Sequence, residues 1–462
     1  MDTRLDELVP AYAMRVLEVL EDAGHEAWIV GGWVRDALLG EVGSDVDITC
    51  SALWEDTERA LLAKDIPVER TGIAHGTITA LVDGAPIEVT TYRREGTYTD
   101  HRHPDEVVFV DDVETDLARR DLTINAIAYN PRRGLRDPFS GISDLERGVI
   151  RTVGDPFVRF EEDALRIIRA VRFALRLDFT MDPRTHDALN RKALSLKAVA
   201  SERVGTELVK IVEAGHAGRA LMEYPDVMCA AIPDLQPSRG FDQKSVYHIF
   251  DVYTHIAHVC KATEAFTVGL ARPELRWAAL LHDIAKPETY SEDVIGHGHF
   301  FDHPRRGAEI AREVMGRMGI PNQIVSPACT LIKYHDEPMP ATPYAIRKLL
   351  RKISKDCPGR EVEVAFELFD LRRADAISKS PSAAAWVVEL DTYTKLLRKE
   401  VRRGPVFDTK HLKISGADVI RALDIKGGPA VGMNLQMILS AVMRGELDNN
   451  KSDQIAWLKG EL

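Results

Sequence analysis

Asp45 and Asp47 stand two residues apart in Asp45-Val46-Asp47-Ile48-Thr49, an alternation of polar and apolar residues with the period of a half-buried strand. Side chains two apart on a strand share a face. The two carboxylates are therefore expected to project together while Val46 and Ile48 point into a core. Phosphoryl transfer at neutral pH uses such a pair, because divalent ions held there activate an attacking hydroxyl and stabilise a leaving pyrophosphate, and magnesium prefers carboxylate oxygen. Glu88 is the candidate third carboxylate: Ile87 and Val89 are core-type neighbours that leave it on the opposite face with Thr90. Upstream, Gly31-Gly32-Trp33-Val34-Arg35-Asp36 sets a glycine pair between a strand and a helix. Backbone N–H groups there approach a triphosphate closely, and the start of a helix favours negative charge.

Two further segments carry compatible chemistry. In Asp116-Leu117-Ala118-Arg119-Arg120-Asp121-Leu122-Thr123-Ile124-Asn125-Ala126 the paired arginines suit phosphate, and Asp121 suits the hydroxyls of a ribose. In Glu161-Glu162-Asp163-Ala164-Leu165-Arg166-Ile167-Ile168-Arg169 the residues Asp163 and Arg166 are three apart, which puts them on one face of an expected helix. That face presents acceptors beside donors; the same spacing also suits a surface ion pair worth about 0.2–0.5 kcal/mol. Arg169 and Arg172 continue the stripe toward phosphate.

A second constellation lies downstream: His255, then Leu281-His282-Asp283-Ile284-Ala285-Lys286, then His303, His335 and Asp375. Burying an adjacent His-Asp pair in a helical, apolar stretch is costly unless the two are paired or bind metal. Imidazole with carboxylate suits manganese, nickel or iron better than magnesium. His248, His258, His297 and His299 are read as bystanders.

The elements that must position these residues change character along the chain. Residues 27–30 form a short apolar strand, 33–39 a helix stopped by Gly40, and 77–82 and 85–91 two strands joined by the hairpin signal Asp83-Gly84. After about Gly148 helical patterning dominates, with breaks near Pro233, Asp234 and Pro237 and again at Gly404-Pro405. The chain has 462 residues, 45% hydrophobic and 29% charged, a balance that buries a sizeable core. No apolar run is long enough to span a membrane, and the charged first residues are unlike a signal peptide. Five scattered cysteines, Cys50, Cys229, Cys260, Cys329 and Cys357, read as reduced thiols in a cytoplasmic protein. The net charge of −12 gives no hint of a nucleic-acid partner, but phosphate contact needs only local basic surface, and arginines cluster at 119–120, 166–176, 372–373 and 398–403.

In this order the motifs resemble the nucleotidyltransferase superfamily that includes DNA polymerase beta, and more closely the bacterial class II tRNA nucleotidyltransferases and poly(A) polymerases. The resemblance implies an α+β fold: a polymerase-beta-like head (a small mixed sheet with helices) over residues 1–148, then an all-α neck over 149–236, an HD-type body over 237–385 and a helical tail over 386–462. It implies that Asp45 and Asp47 bind magnesium, with Glu88 completing the catalytic set, and that Gly31, Gly32, Arg35 and Asp36 hold the incoming nucleotide. Arg119, Arg120, Asp121 and Asn125 would contact the triphosphate and select the ribose, while Glu162, Asp163, Arg166, Arg169 and Arg172 would form the base-reading stripe. Asp137-Pro138-Phe139 and Gly148-Val149-Ile150-Arg151 also match the family and read as turn and hinge, and Ser201-Glu202-Arg203 as support for the base-reading helix. His255, His282, Asp283, His303, His335 and Asp375 resemble the ligand order of the HD phosphohydrolases, which hold manganese, nickel, iron or similar ions. The implied activity is template-independent addition of C, C and A to the 3′ end of tRNA from CTP and ATP, the tail gripping the tRNA elbow. The segment from Tyr92 through Asp100 to Pro104 resembles the loop of enzymes that add the terminal A. A-only addition, CC-only addition and poly(A) synthesis are the family alternatives, and an HD phosphohydrolase with an RNA-binding head is the alternative from another class.

Overall fold

The computed structural model describes residues 5–41, 43, 45–95 and 107–461. The greater part of the segment that resembles the A-adding loop, residues 96–104, lies outside the described residues. The head strands are β1 (Ala27–Val30), β2 (Asp47–Cys50), β3 (Val68–Gly72), β4 (Thr77–Val82), β5 (Ala85–Thr91), β6 (Arg93–Glu95), β7 (Val107–Phe109), β8 (Ala128–Asn130) and β9 (Gly134–Arg136). Among the described residues seven of them form one mixed sheet in the order β3-β4-β5-β2-β1-β8-β9, and β6 pairs with β7 apart from it. The expected hairpin is present: β4 and β5 are antiparallel around Asp83 and Gly84, both at positive φ.

Register places the carboxylates. β2 runs antiparallel to β1 with Val30 opposite Asp47, and parallel to β5 with Asp47 opposite Glu88. Val46, Ile48, Ile87 and Val89 are buried while Asp47 and Glu88 face out, as period-2 alternation requires. The expected strand over residues 45–49 starts two residues late, so Asp45 stands just before β2 instead of on it. The reason is that β1 ends at Val30 and turns away at Gly31, leaving Asp45 no strand partner on that side.

The first helix used here, α1 (Gly32–Leu38), follows β1 as expected, and α2 (Val113–Ala118) is capped by Asp112, whose carboxylate accepts the N–H groups of Glu114 and Thr115. Trp28, Val30, Tyr92, Val113, Leu117, Ala126 and Ala128 pack into one core beneath them. The expected single helix through the base-reading segment is instead two, α3 (Pro156–Glu162) and α4 (Leu165–Leu177). Asp163 is extended at φ −141° and its Oδ1 accepts the Leu165 N–H at 3.0 Å. A short carboxylate that caps its own backbone competes with the helical ladder, and here it ends one helix and starts the next. Asp163 and Arg166 therefore do not share one helix face.

The chain divides into two compact units, residues 1–208 with 224–231, and residues 209–223 with 232–462. In the second, α5 (Val252–Phe266), α6 (Pro273–Leu281), α7 (His303–Arg317), α8 (Asn322–Tyr334), α9 (Glu361–Ile377) and α10 (Ala384–Arg403) precede α11 (Gly416–Leu423), α12 (Pro429–Arg444) and α13 (Lys451–Lys459). The last three close over Val419, Ile438, Leu439 and Val442. Ser415 and Asp418 form a capping box on α11. The five cysteines are buried and none is in a disulfide, and no described helix is long and apolar enough to cross a membrane.

On α9, Glu367 is buried, and its Oε2 has no hydrogen-bond partner among the described residues. Burial, and after it the neighbouring Glu274 and Glu363, push its carboxyl from 4.5 up to about 8. The folded chain thus binds a proton that the unfolded chain releases above its lower value, so this residue's contribution to stability is present at low pH and declines between about pH 4.5 and 8. Glu367→Gln is expected to remove that decline, gaining on the parent by up to about 1.4 kcal/mol per pH unit across the window. Denaturant midpoints measured at pH 5 and pH 8 check this; parallel pH profiles for the two proteins would refute it.

Candidate active site

A cavity of about 500 Å³ in the first unit gathers most of the residues expected at the nucleotide site. Gly31, Gly32, Arg35 and Asp47 line one side, Arg119, Arg120, Asp121 and Asn125 another, and Asp163, Arg166 and Arg169 a third. Leu165, Phe173 and Arg203 also line it. Asp36, Asp45, Glu88, Glu162 and Arg172 do not reach the lining, and most of these brace those that do.

Gly31 is held at φ 76°, ψ −131°, a conformation open to glycine and little else. A Cβ there would lie 3.1 Å from Arg120 Nη1 and 3.8 Å from Asp47 Oδ2, so the bare backbone lets these two side chains close over the turn. Arg35 is buried: its Nε and Nη2 donate to the two oxygens of Asp36 at 2.8 and 2.9 Å, and its Nη1 donates to Asn125 Oδ1 at 2.6 Å. Asn125 passes a hydrogen bond to Asp121 Oδ1 at 3.1 Å, and Asp121 Oδ2 accepts from Arg169 Nε at 2.8 Å. Burial works against the Asp121 charge, but Arg169 more than offsets it, with Asn125 and Arg166 adding to the effect, and holds this carboxyl far below the ordinary range. Asp121 Oδ1 also accepts the Leu122 N–H at 2.9 Å and its Oδ2 lies 2.7 Å from Arg169 Nη2, so its lone pairs are all engaged and a hydroxyl that joins it shares or displaces one of these partners.

Asp116, not singled out from the sequence as a site residue, orients the arginine pair. It is wholly buried, accepts from Arg119 Nε at 2.9 Å and from the hydroxyl of Thr49 at 3.3 Å, and sits 3.7 Å from Arg120 Nη2. Phe173 carries three guanidiniums on its ring, Arg172 at 4.2 Å, Arg35 at 4.9 Å and Arg169 at 5.8 Å. Arg172 was expected to face phosphate; it is turned to Glu207, 2.5 Å away, and lies off the cavity wall. The short distance to a buried carboxylate explains the turn. Arg166 Nη1 holds Glu162 Oε2 at 2.5 Å and its Nη2 donates to the Arg119 carbonyl at 3.2 Å. Asp163 Oδ2 accepts from Arg203 Nη2 at 3.1 Å. Arg203 thus touches the cavity as well as bracing the segment that follows Asp163; its signal in the sequence was only its place in Ser201-Glu202-Arg203.

Crowding by the protein, then Glu88, and to a lesser extent Asp45, push the Asp47 carboxyl above its ordinary range, with Arg120 opposing. Like charges gathered at a cavity edge are what a divalent cation relieves. The grouping is open: three-ligand clusters with donor atoms all within 4.8 Å of one another, among the described residues, occur in the second unit and not at Asp45, Asp47 and Glu88.

The six residues of the histidine-aspartate constellation come together in that second unit, all buried. His255 lies on α5, His282 and Asp283 follow α6, His303 opens α7, His335 ends α8, and Asp375 is in the last turn of α9. Each ring is held through Nδ1: His282 against the Ala279 carbonyl at 3.0 Å, His335 and His303 against those of Ile332 and Phe300 at 2.7 Å, His255 against Ser378 at 3.4 Å. A carbonyl only accepts, so in His282, His303 and His335 Nδ1 carries the hydrogen and Nε2 presents a lone pair, whereas the nearer contact of His255 is its Nε2 donating to Asp375 Oδ1 at 3.0 Å. For His282 and His335 these carbonyls lie in the last turn of a helix, where few intrahelical donors remain, that of Ile332 also accepting the His335 N–H at 3.4 Å. The Nε2 atoms converge. Asp283 lies 3.3–3.6 Å from all four, and His255 is 3.0 Å from Asp375. His303 and His335 set their Nε2 atoms 3.4 Å apart, lone pair to lone pair, and the buried His282 Nε2 has no hydrogen-bond partner among the described residues. Burial pushes His255 below the ordinary imidazole range, toward the neutral form that ligates metal. Two donor sets share Asp283, one with His255 and His282, the other with His303 and His335. The donor set fits manganese, nickel or iron.

Two cations beside this cluster were not anticipated. Lys286 Nζ is 2.7 Å from Asp283 Oδ2 and Lys379 Nζ is 2.6 Å from Asp375 Oδ2. His248, read as a bystander, packs its ring 5.1 Å from that of His255 and belongs to the surroundings of the cluster. His258 stacks on Phe250, and His297 and His299 pair with Asp293, away from it.

Comparison with known proteins gives a consistent set of likenesses. A family model described as Poly A polymerase head domain matches residues 27–151, one described as "Probable RNA and SrmB- binding site of polymerase A" matches 178–224, and an HD domain model matches 246–379. The CCA-adding enzyme of Geobacillus stearothermophilus is 32% identical over 448 residues, 96% of each chain. That of Lactobacillus helveticus is 44% identical over 234 residues, half of this chain and 58% of that one, so the match spans little more than half of that relative's length. The crystal structure of the Bacillus stearothermophilus CCA-adding enzyme in complex with CTP superposes with a TM-score of 0.69 at 30% identity, covering 97% of this chain and 96% of that one.

Gly31→Ala is expected to force both the backbone and Arg120 out of place, at a cost of about 1–3 kcal/mol. A denaturant midpoint that does not move would show that the turn accepts a side chain.

Proposed function

The chain belongs to the CCA-adding enzymes, a tRNA nucleotidyltransferase family, and from that premise we propose that it adds C, C and A in turn to the 3′ end of tRNA, drawing on CTP and ATP without a template. The observation that carries the reading is the head cavity, where a glycine turn, a half-buried arginine pair and the Asp163-Arg166 donor-acceptor set face one another. The Gly31-Gly32 backbone and Arg119 and Arg120 take the triphosphate, with Asp116 holding both guanidiniums in place. Asp121 and Asn125 receive the ribose hydroxyls. Asp45 and Asp47, with Glu88 across the rung, hold magnesium, which supplies activation of the attacking 3′ hydroxyl and neutralises charge on the leaving pyrophosphate when bound.

Base choice rests on Asp163 and Arg166. Cytosine offers its N4 amino group to Asp163 and its O2 and N3 to Arg166, and adenine offers N6 and N1 in the same sense. Uracil and guanine set a carbonyl against the carboxylate, and each paired contact discriminates by about 1–3 kcal/mol. Arg203 and Glu162 occupy these two groups in the absence of a base and yield to it, while Arg169 stays bound to Asp121.

We further propose that the histidine-aspartate cluster is a metal site for phosphate-ester hydrolysis, supported by the opposed lone pairs of His303 and His335. The functional division that follows is a head over 1–148, a neck over 149–236, a body over 237–385 and a tRNA-gripping tail over 386–462, the first three supported by the matched ranges 27–151, 178–224 and 246–379. The cytoplasm, where tRNA matures, is the compartment this activity requires.

The test is extension of a tRNA transcript ending at the discriminator base, with magnesium and CTP, ATP or both. Two steps with CTP alone and a third only with ATP support full addition. A single step with ATP on a transcript already ending in CC, or a halt after CC, assigns partial addition, and long A-tracts assign poly(A) synthesis. Asp45→Ala is expected to abolish extension and leave any phosphatase activity of the cluster intact; persistent extension would remove the magnesium assignment. Asp163→Ala is expected to relax choice toward UTP and GTP by about tenfold or more, or to cripple incorporation. Unchanged selectivity among the four nucleotides would end the base-reading role.

A further inference from the structure

The cluster of the second unit balances its own charge. It contains two carboxylates, and each has an ammonium of its own: Lys286 on Asp283 and Lys379 on Asp375. The two ammoniums match the two carboxylates in number and charge. A divalent cation entering it adds two charges and needs the carboxylate oxygens that the lysines hold.

The two lysines differ in where they can go. Lys286 is buried, bonded also to Gln243 Oε1 at 2.8 Å and set 5.3 Å over the Phe300 ring. Lys379 stands at the edge of a cavity of about 410 Å³ whose wall includes Asp375, Asp336, Glu337 and the half-exposed Trp386. Its Nζ already lies 5.1 Å from the Trp386 ring centre. An indole face and carboxylates at the cavity wall give the displaced ammonium a second resting place.

We propose that Lys379 is the resident counter-cation of Asp375, and that it and a divalent cation compete for that carboxylate, the lysine swinging toward Trp386 as the metal loads. The inference rests on the metal reading of the cluster given above. It makes metal affinity the difference between two interactions, and it leaves the folded body charge-balanced when no metal is bound.

Calorimetric titration of the full chain with manganese chloride, in excess magnesium to cover carboxylate-only sites, tests it together with thermal unfolding with and without EDTA. Lys379→Met is expected to bind manganese about tenfold tighter or more, as the fraction of Asp375 free to ligate rises. With manganese present, its unfolding temperature should fall further on chelation than that of the parent. Lys379→Arg should keep the parent's affinity, and adding Asp375→Asn to Lys379→Met should erase the gain. If Lys379→Met folds only when manganese is supplied, the competition is equally supported. Equal or weaker affinity in Lys379→Met overturns the competition and leaves the metal site standing. Failure of every protein to bind manganese overturns the metal reading, and this inference with it.

Discussion

The head cavity depends on one requirement, that charge removed from water be paired. Arg35, Asp36, Asn125, Asp121 and Arg169 answer it as a single chain of hydrogen bonds, running from α1 through the segment after α2 to α4. Removing a link leaves a buried charge uncompensated, at a cost of about 3–5 kcal/mol, so the chain holds these elements at fixed separations. The framework around the cavity is thereby braced before any ligand arrives, as a site that told similar bases apart by hydrogen bonds would require. Asp116 does the same for Arg119 and Arg120 from below. The residues that would touch a nucleotide are few, and most of the polar investment lies in the groups that keep them still.

The second unit answers the same requirement by different means. Its imidazoles are aimed by backbone carbonyls, two of them supplied by the frayed ends of α6 and α8. Secondary structure itself therefore sets the tautomer of those two rings. The two sites thus differ in kind: guanidinium–carboxylate pairing builds a wide cavity, whereas converging imidazoles build a small cage.

Much of this was legible in the sequence because the governing signals are local. Alternation around Ile48 and around Glu88 assigns faces without reference to the rest of the chain, and Asp83-Gly84 announces its hairpin. The break at Asp163 was not legible, since the pattern of apolar residues continues through it; only the cap that Asp163 makes to Leu165 reveals it. Arg172 was misassigned for a related reason. Its position on the stripe is as expected, but a carboxylate 35 residues away, Glu207, decides where the side chain points. Lys379 and Asp116 are of the same type, common residues given meaning by a partner brought near in space. His248 lacked any spacing signal toward His255 except one that a lone histidine shares with most structural ones.

The rung formed by Asp47 and Glu88 has a consequence for how such a chain can change. The two residues face each other on parallel strands, and all of the sequence between them loops out through β3 and β4 to the far edge of the sheet before returning. Lengthening or shortening that excursion at its outer turns alters nothing about the rung, because the pairing of β2 with β5 is set by their own buried residues. The edge hairpin is therefore a place where a lineage can gain or lose length freely, or where a label can be inserted, while the acidic residues at the cavity keep their spacing.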